Sequence, residues 1–371
     1  MDAELFAEPN IVGTTRPDGS VLLRSADALA DHPTTVLESF RAWSAKDPEH
    51  VLARQRVADG CWRTLTYGEA DRLSRSLGQA LLDRGLGPDR PLMVLSGNSL
   101  DHLAVVLGAM AAGVPVSPVS VAYSLQSRAH ARIKEIASLL TPGAVYVDDA
   151  GAFAGALDAL PEVPAIVGRG ERAGAAPLAD LTSTPAGAEV DAAFAALGPE
   201  SVAKILFTSG STGSPKGVVT THGMLAANQQ MMRRAWPFLT TQRPVIVDWL
   251  PWSHTFGGSH NLGLILVSGG TLYIDDGRPT PALFGETVRN LTEVPPTIYF
   301  NVPAGYAQLV PMLESDEAFA ARFFSELRLL FNAAAALPDG LRNRLQAVAV
   351  RTAVTRFRSP VRGGSPRPPG P

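Results

Sequence analysis

Short apolar runs alternate with stretches of helical periodicity along most of this chain, and this alternation limits its fold more than any other feature. Apolar residues recur at helical spacing over residues 36–45, after a predicted cap at Thr34-Thr35, and over residues 67–84. Short apolar runs at residues 91–95 and 144–147 are bounded by turn residues. A period of 3.6 indicates helices and short apolar runs indicate buried strands. The alternation predicts an α/β fold with a mostly parallel, helix-covered sheet.

Changes in composition divide the chain into four predicted segments. Residues 1–33 mix Pro, Gly and charged residues without periodicity, which predicts an extended arm. Residues 34–199 form a predicted first α/β subdomain and residues 200–353 a second one, because the Ala-, Gly- and Pro-rich stretch between about 150 and 200 ends at a new apolar run. Residues 354–371 contain five Pro, four Arg, three Gly and no acidic residue. That composition predicts a disordered tail.

Charge and cysteine content restrict the class of partner and the compartment. The formal net charge is −3, with 32 basic and 35 acidic residues spread along the chain, which argues against a nucleic-acid partner and favours a small molecule. The single Cys61 excludes an internal disulfide and a multi-cysteine metal site, and predicts a cytoplasmic location. No run approaches the length of about 18 apolar residues that a membrane crossing needs. His254 and His260 lack a third ligand nearby, so we predict no metal site.

A loop rich in glycine and hydroxyl residues follows the apolar run that begins at Ile205. Its sequence is Thr208-Ser-Gly-Ser-Thr-Gly-Ser-Pro-Lys-Gly217. Glycines allow backbone N–H groups to approach an anion, hydroxyls add donors, and an ammonium adds positive charge, so the loop predicts a polyphosphate site. An ordinary turn between two strands is the alternative. The loop is not a Walker A motif, because Lys216 precedes Gly217, nor a nucleophile elbow, because Ser209 stands where that motif needs glycine.

This loop resembles the phosphate-loop signature of the adenylate-forming superfamily, which includes acyl-CoA synthetases, luciferases and the adenylation domains of peptide synthetases. Further segments resemble the family's motifs in the family's order: Leu65-Thr-Tyr-Gly-Glu-Ala70, Met110-Ala-Ala-Gly-Val-Pro-Val116, Trp249-Leu-Pro-Trp-Ser-His-Thr-Phe-Gly-Gly258, and residues 329–337. Together with Ala122-Tyr-Ser-Leu-Gln-Ser-Arg128, the motif around residue 254 is most similar to feruloyl-CoA synthetases. The resemblance implies the large amino-terminal domain of these enzymes, with two helix-covered sheets as subdomains.

The resemblance also implies a reaction. In this family a carboxylate attacks the α-phosphate of Mg·ATP, pyrophosphate leaves, and a thiol captures the acyl-adenylate. ATP, Mg²⁺ and coenzyme A are therefore the implied cofactors, and an aromatic carboxylic acid is the implied substrate. The implied catalytic residues are Lys216 and His254. The implied nucleotide-binding residues are Thr208, Ser209, Gly210, Ser211, Thr212, Gly213, Lys216, Ala334 and Ala335, and the implied acid-binding residues are His254, Phe256, Gly257, Gly258 and Asn332.

Two of these assignments compete with structural interpretations. His254 lies near two aromatic residues, and without the motif this position would favour a satisfied structural histidine. The run Asn332-Ala-Ala-Ala-Ala336 stands where the family places a glycine-containing turn that faces the adenine, but four alanines favour a helix. Thr221 has the position of a helix cap, for which we expect a structural role.

Three parts of the family's site do not occur in this sequence. There is no Trp/Tyr-Gly-x-Thr-Glu motif, no Thr-Gly-Asp motif, and no lysine after Lys216. We therefore expect a truncated enzyme, which arises either from a shifted reading frame or as a short protein that binds nucleotide or acid without catalysis. We expect little or no ATP–pyrophosphate exchange with ferulate, coumarate or benzoate.

A different class of protein is suggested by Gly168-Arg-Gly-Glu-Arg-Ala173, which has the outline of a dinucleotide-binding turn after a short apolar run. Gly174 and Pro177 would interrupt the helix that such a turn requires. An NAD-dependent dehydrogenase is thus a remote alternative.

Overall fold

The computed structural model describes residues 5–126, 129–208 and 213–352. The chain divides into two compact units. The first consists of Met1–Pro244 with Trp249–Ile274, and the second of Val245–Asp248 with Asp275–Pro371. The predicted disordered tail, residues 354–371, lies outside the described residues.

Strands and helices alternate along the described chain. The strands are β1 Ile11–Thr15, β2 Val21–Ser25, β3 Val51–Arg56, β4 Trp62–Thr66, β5 Leu92–Leu95, β6 Val116–Pro118, β7 Ala144–Asp149, β8 Ala165–Arg169, β9 Ala176–Pro177, β10 Val202–Thr208, β11 Lys216–Thr221, β12 Val245–Asp248, β13 Thr271–Ile274, β14 Ile298–Asn301 and β15 Leu329–Asn332. The helices are α1 Val36–Lys46, α2 Tyr67–Asp83, α3 Leu100–Ala111, α4 Val121–Leu125, α5 Ala131–Leu140, α6 Ala154–Asp158, α7 Leu178–Thr182, α8 Ala188–Ala195, α9 His222–Ala235, α10 Leu262–Ser268, α11 Phe284–Glu293, α12 Pro303–Ser315, α13 Glu317–Phe324 and α14 Asp339–Thr352. A 3₁₀-helix covers Pro237–Thr240 and a π-helix covers Phe256–Asn261.

A seven-stranded sheet in the first unit confirms the predicted α/β fold. Its strand order is β11-β10-β6-β5-β7-β8-β9, and every neighbouring pair is parallel except β10 and β11. Apolar residues of β5 and β7 pack with α5 in one core cluster, which includes Met93, Val145, Val147, Ile133 and Ile136. Strands β3, β4 and β13 of the same unit form a second group, in which β3 pairs with β13 in parallel.

Helix boundaries follow the local signals in the sequence. Thr35 caps α1 as predicted: its hydroxyl accepts from the Glu38 N–H at 3.1 Å, and the Glu38 carboxylate accepts from the Thr35 N–H at 3.0 Å. This reciprocal pair satisfies two backbone donors that the first helical turn leaves open. Thr221 caps α9 in the same way, since its hydroxyl accepts from the Met224 N–H.

The predicted boundary near residue 200 lies inside the first unit. Strand β10 begins at Val202 and pairs with β6 of the seven-stranded sheet. The Ala- and Gly-rich stretch before it is not a linker, because the Gln79 side chain of α2 accepts from the N–H groups of Gly187 and Val190. Composition alone could not reveal these contacts, which tie weakly apolar residues to the domain through hydrogen bonds.

The predicted extended arm contains a β-hairpin. Strands β1 and β2 pair antiparallel, with Ile11 opposite Ser25, and the turn between them contains Gly19 at a φ of 82°. Both strands are exposed along their whole length. Their polar and charged neighbours concealed the alternation that would have predicted a hairpin.

Helices α2 and α3 cross with their backbones in close contact. A Cβ atom at Gly108 would lie 2.6 Å from the Leu77 Cβ and 3.0 Å from the Ser74 carbonyl oxygen. A Cβ at Gly78 would lie 3.0 Å from the Gly108 carbonyl oxygen. Only glycine leaves room for this crossing, because real Cβ atoms do not approach other atoms so closely.

The second unit has its own core around the parallel pair β14 and β15. The Tyr306 hydroxyl of α12 donates to the Phe331 carbonyl of β15 at 3.0 Å. The Arg344 guanidinium of α14 pairs with the Glu314 carboxylate of α12 through two contacts of 2.5 and 2.9 Å. These contacts hold the helices against the strand that leads into the alanine-rich segment.

Candidate active site

The glycine- and hydroxyl-rich loop joins two antiparallel strands. Thr208, the last residue of β10, is the register partner of Lys216, the first residue of β11. Because directly opposed residues point to the same face of a sheet, both side chains lie at one mouth of the loop. Both residues are exposed. Ser209, Gly210, Ser211 and Thr212 lie outside the described residues, so their predicted role stays a prediction.

Gly213 takes a backbone conformation that favours glycine. Its φ is 102°, and no atom lies within 4 Å of the position that a Cβ would occupy. Space is therefore not the constraint at this position. The constraint is the positive φ, because residues with a side chain disfavour this backbone conformation.

The strand that enters the loop also contacts residues 249–258, the motif that contains most of the implied acid-binding residues and that we call the acyl segment. In β10, Lys204, Leu206 and Thr208 share one face because side chains alternate along a strand. Ile205 and Phe207 occupy the other face and pack against the core cluster of β5 and β7. The Lys204 ammonium donates to the Gly258 carbonyl oxygen. The loop mouth and the segment around Gly258 therefore lie on the same side of this sheet.

The acyl segment is fixed at its start by a side chain that sequence reasoning missed. The Asn98 amide donates to the Leu250 carbonyl at 2.9 Å, and its oxygen accepts from the Trp252 N–H at 3.0 Å. The ring of His102 meets the Trp252 ring edge-on, with centroids 5.0 Å apart. An asparagine more than 150 residues earlier in the chain carries no local signal for this clamp.

Phe256, Gly257 and Gly258 begin the π-helix and all three are buried. A Cβ at Gly257 would collide with the Leu250 backbone, and one at Gly258 with the Trp252 backbone. The two glycines are thus required for the close approach of the π-helix to residues 250–252. π-helical turns are rare and are often found at functional sites.

His254 is exposed and its orientation is set by the chain itself. Its Nδ1 accepts from the Phe256 N–H at 3.2 Å, and its carbonyl accepts from the Gly258 N–H at 2.9 Å. A neutral imidazole that accepts at Nδ1 carries its proton on Nε2. The described residues provide no hydrogen-bond acceptor for Nε2, so this N–H can donate to a bound acid. The purely packed histidine is not what the structure shows.

An aromatic group surrounds Phe256. The His260 ring meets it edge-on at 5.5 Å and meets Trp236 at 6.3 Å. Burial lowers the pKa of His260, although a hydrogen bond to the Asn261 amide opposes that shift. The lowered pKa favours a neutral His260 ring in these contacts with Phe256 and Trp236.

Three titratable side chains are buried on the same side of the sheet. Burial lowers the pKa of Lys204 to about 8. Burial, and secondarily the Lys204 charge, lowers the pKa of His222 to about 4. Burial also lowers the pKa of His102 to about 4, with its hydrogen bond to the Gly97 carbonyl opposing the shift. Near neutral pH both histidines are uncharged and the lysine is the only cation of the three.

The alanine-rich segment of the second unit forms a turn, so the helix interpretation is wrong. Ala334 has a φ of 71°, and the Asn332 side chain donates to the Ala335 carbonyl at 2.7 Å. This is the left-handed conformation that glycine usually provides. The Asn332 hydrogen bond closes the turn, which overrides the helical preference of alanine. Ala334 and Ala335 are exposed.

The possible dinucleotide turn does not open a helix. Gly168 lies in β8 and the next element after Gly170 is the two-residue strand β9. The helix that would have to begin at the motif is absent from this described stretch.

Two kinds of feature do not occur among the described residues. These residues hold no group of three or more His, Cys, Asp or Glu side chains placed to bind a metal ion. None of the described helices combines the length and the apolar character that a membrane crossing requires.

Comparison with known proteins identifies the relatives of the chain. The family model for AMP-binding enzymes matches residues 40–356. The chain is 27% identical over 297 residues to a 3-hydroxybenzoate–CoA ligase of Aromatoleum sp. (strain CIB), an alignment that covers 78% of this chain and 53% of the ligase. It is 32% identical over 204 residues to nonribosomal peptide synthetase 32 of Fusarium pseudograminearum (strain CS3096), covering 51% of this chain and 2% of that protein. The chain thus spans at most about half the length of these relatives.

Among solved structures, the complex of VinN with L-aspartate is similar in fold. The TM-score is 0.66 at 21% sequence identity, and the match covers 85% of this chain and 73% of VinN. The similarity extends over both units and supports the architecture described above.

Proposed function

We propose, from the premise that this chain belongs to the AMP-binding enzyme family, that it holds ATP and a carboxylic acid for adenylate formation, with the low exchange activity expected of a truncated enzyme. The observation that carries the proposal is the arrangement on one face of the seven-stranded sheet. Thr208 and Lys216 lie at the mouth of the glycine-rich loop, and Lys204 of the same strand holds Gly258 of the acyl segment. A triphosphate and a carboxylate could therefore be held on the same side of one strand.

The proposed step is a displacement at phosphorus. A carboxylate oxygen attacks the α-phosphorus, the bond from that phosphorus to the bridging oxygen breaks, and the electron pair leaves with pyrophosphate. Lys216 and the Thr208 hydroxyl would stabilise the charge on the leaving pyrophosphate, which is a task of positioning and electrostatics. The triphosphate would bring Mg²⁺ with it, and we assign no side chain as its ligand.

His254 is proposed to orient the acid. Its side chain is exposed, and its Nδ1 accepts from the Phe256 N–H. A ring fixed in this way can donate one hydrogen bond to a carboxylate without reorienting. Phe256, Gly257 and Gly258 would form one wall of the acid site. An aromatic acid is the proposed class, supported by the His260 ring edge-on to Phe256 and by Trp236 edge-on to His260.

For the turn in the second unit, taken by itself, the nucleotide-binding role implied for Ala334 and Ala335 is kept as a proposal. The left-handed residue Ala334 and the Asn332 hydrogen bond give the turn a fixed backbone without a bulky side chain. Both alanines of the turn, Ala334 and Ala335, are exposed. Asn332 would then act as a positioning residue for the turn.

We also propose that coenzyme A captures the acyl-adenylate. A feruloyl-type acid as substrate and a cytoplasmic location belong to the same proposal. The likeness to a 3-hydroxybenzoate–CoA ligase supports an aromatic acid and this thiol. The likeness to a peptide synthetase supports the adenylation step, but leaves a carrier-bound thiol as the competing acceptor.

The test measures ATP binding by isothermal titration calorimetry, followed by ATP–pyrophosphate exchange with ferulate, coumarate, benzoate, aspartate and a fatty acid. Lys216→Ala should weaken ATP binding at least about tenfold, since a hydrogen bond to a charged group contributes about 1.5–3 kcal/mol. Lys134→Ala removes an exposed lysine of α5 and should leave binding unchanged. Absence of ATP binding would overturn the proposal. Binding without exchange would favour the alternative of a non-catalytic nucleotide- and acid-binding protein.

A further inference from the structure

The π-helix of the acyl segment is held by two buried side chains from other elements. Its successive carbonyls at Gly258, Ser259 and His260 accept hydrogen bonds from Lys204 of β10 and Gln229 of α9. The Gln229 amide is shared between Ser259 and His260, at 3.2 and 3.3 Å. A π-helix shifts the hydrogen-bond register of the backbone, so donors from outside the helix are one way to fix that register.

Stability does not explain the choice of lysine at residue 204. The side chain is 4% exposed, and no carboxylate among the described residues forms an ion pair with it. Apolar residues of α3, α9 and α10 line a small cavity together with Lys204: Val106, Met110, Leu225, Leu262 and Leu266. A buried ammonium without a carboxylate is costly, and an apolar side chain of similar length often gives a more stable protein. The lysine therefore does something that an apolar side chain would not.

Gln229 shows the same pattern. It is 1% exposed, and its side-chain oxygen has no hydrogen-bond partner among the described residues. Its amide lies so close to the Cα of Gly263 that a Cβ there would meet the Gln229 Cδ at 2.9 Å. Placing this amide donor next to the π-helix therefore leaves one buried oxygen unpaired and requires a glycine at residue 263.

We propose that Lys204 and Gln229 are positioning residues, which fix the π-helical register of residues 256–261 and thereby the place of Phe256 and His254 at the acid site. The role at the acid site rests on the proposed function. The effect of the two residues on the π-helical register does not depend on it. Lys204 and Thr208 lie on the same strand, about 13 Å apart along it. The same lysine therefore links the acyl segment to the mouth of the glycine-rich loop.

The first experiment needs no ligand. Lys204→Met and Gln229→Met each remove the donor and keep an unbranched side chain. Hydrogen–deuterium exchange followed by mass spectrometry should show exchange about tenfold faster in a peptide that covers residues 250–266, which is the range expected for one lost hydrogen bond to a charged group or two weaker ones. A peptide from α2 should be unchanged. Gln230→Met, a neighbour on α9, and Lys134→Met are the matched controls.

Thermal stability separates positioning from a plain structural role. We expect the melting temperature of Lys204→Met to equal or exceed that of the wild type, while its exchange at residues 250–266 rises. In the double variant, exchange at residues 250–266 should accelerate by less than the product of the two single accelerations. The reason is that both side chains hold the same turn. Unchanged exchange in a folded Lys204→Met or Gln229→Met protein would overturn the proposal. If Lys204→Met does not fold, Gln229→Met decides alone.

The second experiment uses ligands. Both variants should weaken binding of the preferred aromatic acid about tenfold and leave ATP binding unchanged, because the register shift moves Phe256 and His254 but not Lys216. Equal losses for acid and ATP would contradict positioning at the acid site. Absence of acid binding in the wild type would count against the proposed function, and the exchange measurement would still decide the role of the two residues.

Discussion

Thr208 and Lys216 stand directly opposite each other across the hairpin of β10 and β11, so the glycine-rich loop opens between a hydroxyl and an ammonium on one face of the sheet. This pairing gives the loop a rigid base on two strands. The loop is therefore a candidate anion site whose two flanking residues are fixed by strand register.

The conformation of Gly213 leads to a first prediction. Gly213→Ala forces a side chain into a φ of 102° and should lower the free energy of unfolding by about 1–2 kcal/mol. Urea denaturation measures this change, and calorimetry should show weaker ATP binding. Gly198→Ala is the control, because it has open space and no positive φ. Equal losses for the two variants would count against a conformational role.

The exposed side chain of His254 leads to a second prediction. His254→Ala should weaken binding of an aromatic acid about tenfold, which is the value of one hydrogen bond to a charged group. Its melting temperature and its ATP affinity should stay near the wild-type values, because the side chain is exposed. His32→Ala, in the segment before α1, should change neither affinity. An unaltered acid affinity in His254→Ala would remove this histidine from the site.

Buried histidines make stability depend on pH. The pKa of His222 is about 4 in the folded chain, below the ordinary value of 6.5. As pH falls from 6.5 towards 4, the unfolded chain binds a proton that the folded chain does not, so the free energy of unfolding decreases. It loses up to about 1.4 kcal/mol per pH unit for each such group. His102 contributes in the same direction.

His222→Leu tests this dependence, because neither ring nitrogen of His222 has a hydrogen-bond partner among the described residues. Urea denaturation at pH 7.5 and pH 5 should show a smaller loss of stability in His222→Leu than in the wild type. Identical losses in the two proteins would show that His222 does not cause the slope.

The turn at Ala334 leads to a fourth prediction. Ala334→Gly should leave stability unchanged or raise it by up to about 1 kcal/mol, because glycine adopts a φ of 71° without strain. Ala335→Gly lacks that compensation and should cost about 0.5–1 kcal/mol. Thermal unfolding of the two variants gives the comparison. A loss at Ala334 as large as that at Ala335 would contradict the left-handed assignment.

Features that depend on local chemistry were predictable from the sequence. The cap at Thr35 and the cap at Thr221 follow from residues that are near each other in the chain. The loop between β10 and β11 was predicted because an apolar run meets glycines, hydroxyls and a lysine within a few positions.

Features that depend on distant contacts were not predictable. Lys204 meets Gly258 across 54 residues, and nothing in the sequence of either segment indicates the other. The one signal in the sequence is that Lys204 interrupts an apolar strand. A lysine in such a strand usually indicates that the strand lies at an exposed edge of the sheet. The left-handed turn at Ala334 was missed for a related reason, since helical preference is weak and one side-chain hydrogen bond reverses it.

The crossing of α2 and α3 bears on how inactive variants should be interpreted. A screen for lost activity would score substitutions at Gly108 and Gly213 alike, although the first prevents two helices from meeting and the second strains the backbone of a loop. Solubility or protease resistance distinguishes them, since only the first class of variant should expose the core. Glycine in this chain is therefore indispensable for two unrelated reasons, and sequence alone does not tell them apart.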